Sequence, residues 1–174
     1  SIRTLLVAIL IFAALFARLG KHVIRTRNER PVVAQIQAAG GVAYYDYQLG
    51  FGVVYPSKPP TGAKRVRTVL GDDIYATVNV VFFNNPVTDS EIKDLHKLGN
   101  LLDISISGRG GTDECIDDLL RIHKLRSLNL SDTSITPDGL ARLSASNTLQ
   151  HLTLYGASIS DAHLQTLPAF TNLQ

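Results

Sequence analysis

The chain has 174 residues, room for one ordinary domain or for a repeat array with an appendage, and its 45% apolar content rules out wholesale disorder. A single cysteine, Cys115, excludes an internal disulfide framework and a cysteine zinc site. Residues 1–70 carry a balance of +8 and residues 71–174 one of −6, so the acidic rear would repel phosphate and argues against a nucleic-acid partner.

Residues 4–17 (TLLVAILIFAALFA) are uncharged, and thirteen of the fourteen are apolar. As a helix they span about 20 Å, short of a hydrocarbon core of about 30 Å. Snorkelling of Arg3 and Arg18 would let Ile2 and Leu19 extend the span to residues 2–19. A single-pass membrane anchor is favoured over a cleaved signal peptide, because Leu15-Phe16-Ala17 lacks the small-x-small cleavage pattern, and over a buried soluble helix. Arg18, Lys21, Arg25, Arg27 and Arg30 follow the apolar run, and Arg3 alone precedes it. Taken at face value this puts the C-terminal side in the cytoplasm; positive charge upstream would reverse the count, which leaves the side of the membrane open.

Residues 21–39 read as helix from Val32, Val33, Ile36 and Ala39, with Pro31 starting a second helical piece and Gly40-Gly41 ending it. Their cations could meet acidic lipid, but a solvated face that fixes topology is the favoured reading. Residues 42–47 (VAYYDY) predict a short strand. Residues 50–62 have the glycine and proline density of a loop, and Gly50-Phe51-Gly52 is not a nucleotide motif. Residues 63–70 predict a short helix, closed by Gly71-Asp72-Asp73, whose carboxylates read as solvated turn residues rather than metal ligands.

From residue 77 onward the chain repeats every 24 residues: 77–100, 101–124, 125–148 and 149–172, with the start of a further unit at 173. Leu125, Leu128 and Leu130 fall over Leu149, Leu152 and Leu154, with Leu101, Ile104 and Ile106 upstream. The first unit is aligned on Val80 and Phe82. Each unit opens with strand-like alternation and then turns at Asn85, Arg109, Thr133 or Ala157. Thr88, Thr112, Thr136 and Ser160 are helix N-caps, strengthened by Pro137 directly after Thr136 and by Glu91 three residues after Thr88. Pairs such as Ile92/Leu95 and Leu140/Leu143 turn one helical face inward. Ser1 in place of methionine, and a halt two residues into a further unit, suggest that more repeats or another domain follow.

This pattern resembles the leucine-rich repeat. The helix starts (VTDSEI, GTDECI, ITPDGL, ISDAHL), the short apolar N-terminus, the strand around residues 40–47 and Leu-Gly-Asp-Asp at 70–73 are similar to membrane-anchored bacterial proteins of planctomycete type. The resemblance implies an α/β solenoid over residues 77–174, an N-terminal α+β cap over 25–76 and an anchor helix over 1–24. It also implies that outward strand positions on a concave face meet the partner. In the first unit these are Val78, Asn79, Val81, Phe83 and Asn84. In the last two units they include Arg126, Asn129, His151, Thr153 and Tyr155, a mixed set suited to a protein or glycan ligand.

No catalytic, metal or cofactor site emerges. His96, His123, His151 and His163 occupy different positions in their units. Asp113, Glu114, Asp117 and Asp118 suit a helix start, and Cys115 among acidic neighbours is a poor nucleophile. The expected function is that of a membrane-anchored, non-catalytic interaction scaffold. The alternatives are the recognition part of a larger enzyme or signalling protein whose active domain lies beyond residue 174, and an envelope structural protein with no specific ligand.

Overall fold

The computed structural model describes residues 2–50, 53–54, 58–156 and 159–174. The apolar run and the basic segment form one helix, α1 (Ile2–Ala38), about 56 Å long at 1.5 Å per residue. It contains a window of mean hydropathy 1.9, none of it buried, and is long and apolar enough to cross a membrane. Leu5, Leu10, Phe12 and Phe16 are each more than half exposed.

Pro31 sits inside α1, so the expected second helical piece does not exist. Proline in a helix interior costs on the order of 3 kcal/mol; contacts on both sides of it hold the helix in one piece. Before it, Arg25 donates to the carbonyl oxygens of Ile74 at 3.2 Å and Ala76 at 2.8 Å. After it, Val32, Val33 and Ile36 enter the core. Beside it, the Arg30 guanidinium takes Asp73 in a two-bond fork at 2.8 and 2.7 Å, and also donates to the Leu70 carbonyl at 2.5 Å. Arg25 and Arg30, the latter still half exposed, are therefore tied to the domain, while Arg18, Lys21 and Arg27 keep to a solvated face. Asp73 is likewise no solvated turn residue, and Asp72 pairs with Arg67 at 2.7 Å.

After α1 come β1 (Gly41–Tyr45), a 3-10 turn, the two-residue strands β2 (Leu49–Gly50) and β3 (Val53–Val54), which pair with each other, and α2 (Lys64–Leu70). Of the loop expected over residues 50–62, positions 51–52 and 55–57 lie outside the described residues. Four further strands alternate with short helices: β4 (Val78–Phe83), α3 (Asp89–Ile92), β5 (Asp103–Ser107), α4 (Ile116–Leu120), β6 (Ser127–Ser131), α5 (Pro137–Leu143), β7 (His151–Tyr155) and α6 (Asp161–Thr166).

The strands form one sheet in the order β1-β4-β5-β6-β7. Pairing from β4 to β7 is parallel, whereas β1 enters antiparallel against β4. The expected α/β solenoid is therefore not what forms. A solenoid is quasi-one-dimensional, each repeat touching only its like neighbours. This is a small α/β protein with a mixed five-stranded sheet, one edge closed by an antiparallel strand. A single core runs from Val32, Val33 and Ile36 of the long helix through to Phe170. The period of 24 governs local register only: Asp103, Ser127 and His151 lie side by side, as do Ile104, Leu128 and Leu152.

Even that register fails at the first unit. Val80 lies opposite Asp103 and Val81 opposite Ile104, a step of 23. Val78, Val81 and Phe83 point into the core at 1%, 0% and 4% exposure, so these three are not outward positions, and the alignment on Val80 and Phe82 is off by one residue.

The helix starts carry a second device. Asp89, the first residue of α3, accepts from the backbone N–H and hydroxyl of Thr112, one unit on, at 2.8 and 2.7 Å. Asp113 does the same for Thr136, at 2.8 and 2.5 Å. Asp89 and Asp113, of which Asp113 was expected to serve the helix dipole, thus lace adjacent units together at their N-caps. Gly139 belongs to this arrangement: a Cβ there would lie 2.0 Å from Oδ1 of Asp113. At the third seam Pro137 occupies the aspartate's position and offers no acceptor. His163 substitutes for it. Its Nδ1 accepts from the N–H and hydroxyl of Ser160 at 3.2 and 2.9 Å, which leaves the proton on Nε2 to donate to the Ile135 carbonyl at 3.0 Å.

A candidate interaction surface

The helices α3 to α6 cover one face of the sheet, and the other face is open. In-register residues on it form rows across the strands: Tyr44, Val80, Asp103, Ser127 and His151 in one, Val42, Phe82, Ser105, Asn129 and Thr153 in the next, and Ser107, Ser131 and Tyr155 in a third. The face changes character along its width. On β1 and β4 it is apolar, with the rings of Tyr44 and Phe82 edge to face at 5.9 Å. On β5 to β7 it is polar.

Asn129 is half-buried, and its side-chain oxygen accepts from the Ser131 hydroxyl at 2.6 Å. Thr153 and His151 are exposed, and Tyr155 is 71% exposed. Arg126 is exposed just before β6, where its carbonyl accepts from the N–H groups of Gln150 and His151 at 2.8 Å each. Arg126 and His151 therefore share one end of the strands. Tyr155 does not join them, because four residues of extended chain separate it from His151 by about 13 Å. The three make two contact areas on one strip, not a single cluster. Ala157, read as a turn position, lies outside the described residues.

Asp103, Ser127 and His151 occupy one row across β5, β6 and β7. Burial pushes the Asp103 carboxyl up from its ordinary value, against the Ser127 hydrogen bond and the nearby His151, which pull it down. A serine nucleophile needs a histidine between itself and the carboxylate, plus free donors for an oxyanion. Here the serine stands in the middle, and the parallel ladders on both sides of β6 engage the strand's backbone amides. The row is suited to recognition of a polar ligand, not to acyl transfer.

Elsewhere, burial first and Asp89 second push the Cys115 thiol up to about 12, and its Sγ donates to the Thr112 carbonyl at 3.1 Å. Among the described residues no three His, Cys, Asp or Glu side chains are grouped to hold a metal ion. Sequence reasoning missed the lacing aspartates and the gripping arginines. The aspartates had a visible signal, Thr-Asp recurring 24 residues apart at 88–89 and 112–113. The arginines had none, since their partners lie 40 to 51 residues away. No protein family, no curated protein and no solved structure matches this chain.

Proposed function

We propose that residues 2–19 anchor the chain in a membrane and that the open face of the sheet binds a protein partner without catalysis. The observation that carries the second part is Tyr155, a large aromatic side chain 71% exposed on the edge strand, beside Thr153 and His151. Tyrosine and arginine supply large contact area and directional bonds, and they dominate the energy of many interfaces. The anchoring reading rests on the apolar N-terminal half of α1, whose hydropathic window has no buried residue.

The binding reading is tested by replacing Tyr155 with a photo-crosslinking aromatic residue in the full chain and isolating adducts from native membranes. The same partner should then be lost from affinity capture with Tyr155→Ala and with Arg126→Ala. It should be retained with Arg121→Ala, on the helical side. Equal recovery from all of these variants would remove the sheet face from the proposal.

A further inference from the structure

Among the described residues, a second basic element converges on the point where α1 would leave a bilayer. Tyr75 packs its ring on His22 with centroids 5.5 Å apart, and it borders a recess with Leu15, Arg18 and Leu19. Gly62 lies directly on that ring, so close that a Cβ would fall 2.2 Å from it. At its other end α2 stops at Leu70, whose carbonyl is held by Arg30. From His22 to Arg30 the long helix rises about 12 Å, and seven residues of α2 rise about 10 Å. Gly62, just ahead of α2, is thus placed near His22 through the Tyr75 ring, and Leu70, at the end of α2, near Arg30.

If the span is residues 2–19, His22 lies about 4.5 Å beyond its end, inside a head-group layer some 5–8 Å deep. The segment around Gly62, which Tyr75 ties to His22, carries exposed Lys58, Lys64 and Arg65. No carboxylate occurs in residues 1–28 or 47–71, so both segments are purely basic in composition. On the helix itself Arg18 and Lys21 are exposed, while Arg25 and Arg30 are occupied by the domain.

We propose that residues 58–65, together with Arg18 and Lys21, form a docking surface for the acidic head groups of the bilayer that holds α1. This inference rests on the anchoring reading above and extends it from one helix to a face of the domain. Each cation near an acidic membrane surface strengthens the contact by roughly fivefold. The contact fixes the domain against the membrane on the α2 side.

The experiment uses the full chain in vesicles of phosphatidylcholine with or without phosphatidylglycerol. A fluorophore is placed by Ala63→Cys, Gln37→Cys or Leu10→Cys; native Cys115 is buried and does not compete for label. Nitroxide lipids labelled at the head group should quench the Ala63 site more strongly when phosphatidylglycerol is present. High salt, or the triple variant Lys58→Glu/Lys64→Glu/Arg65→Glu, should cancel that gain, and the Gln37 site should stay unquenched. Quenching at Ala63 that is absent, or equal with and without acidic lipid, overturns the proposal while leaving the anchor intact. Failure of acyl-chain nitroxides to quench the Leu10 site overturns the anchor, and the proposal with it.

Discussion

Replacing Asp89 with alanine removes the acceptor for two donors of the next unit, the N–H and the hydroxyl of Thr112. Both bonds are partly buried, and hydrogen bonds to a charged group contribute about 1.5–3 kcal/mol each, less where water competes. A loss of about 2–3 kcal/mol is expected. Asp89→Asn, which keeps one oxygen, should cost about half of that. The matching bonds of Asp113 are exposed, so Asp113→Ala should cost only about 1–1.5 kcal/mol. Asp138, exposed at the start of α5 and without a bond or ion pair among the described residues, supplies the control; its removal should change stability by about 0.5 kcal/mol at most. The assay is amide hydrogen exchange on the full chain in micelles, read at Thr112, where 2 kcal/mol corresponds to about a 30-fold acceleration. Unchanged protection of Thr112 in Asp89→Ala, or an Asp138→Ala cost as large, would refute the lacing of units by these carboxylates.

Gly139→Ala should push the Asp113 carboxylate off Thr136, so that in a double-mutant cycle Gly139→Ala and Asp113→Ala cost clearly less together than the sum of their separate costs. Two carboxyls should give opposite slopes of stability against pH. Burial raises Glu29 despite Arg25 at 3.7 Å, so the folded protein prefers it neutral and loses stability as pH rises from the ordinary carboxylate range through its raised value. The Arg30 hydrogen bond lowers Asp73, so its contribution is present above the ordinary carboxylate range and is lost as pH falls through the depressed value. Thermal midpoints should show Glu29→Gln gaining on the wild type as pH rises above the ordinary carboxylate range, and Asp73→Asn falling behind it as pH rises toward that range from below; parallel curves would contradict both signs. Cys115, with its thiol near 12, should resist a disulfide reagent at neutral pH and react fully in denaturant.

Strands and helix starts from residue 101 onward were legible because leucine, isoleucine and threonine recur there at one spacing. Ile104, Leu128 and Leu152 do fall in register, and Thr112 and Thr136 do cap, accepting from Glu114 and Gly139. The first unit was not legible. Residues 80–83 are all apolar, so alternation cannot say which of them face inward; Phe82 stays apolar on the open face because it packs on Tyr44. A period describes a unit and its neighbour, and it is silent about the strand that closes an edge, which here comes from outside the periodic part. The outward residues of β5 to β7 were readable from alternation. Their division into two contact areas follows from strand rise, which a list of positions does not convey.

The exchange of aspartate for proline at residue 137 sets an order of disassembly. Two seams are fastened by carboxylates, while the third depends on the ring of His163 reaching the Ile135 carbonyl. Beyond that seam Leu164 is 51% exposed, and Leu152 and Leu154 are only half-buried. Local opening takes the least fastened unit first. The seam between β6 and β7 should thus open before the two that carboxylates fasten, while the part packed on α1 stays folded.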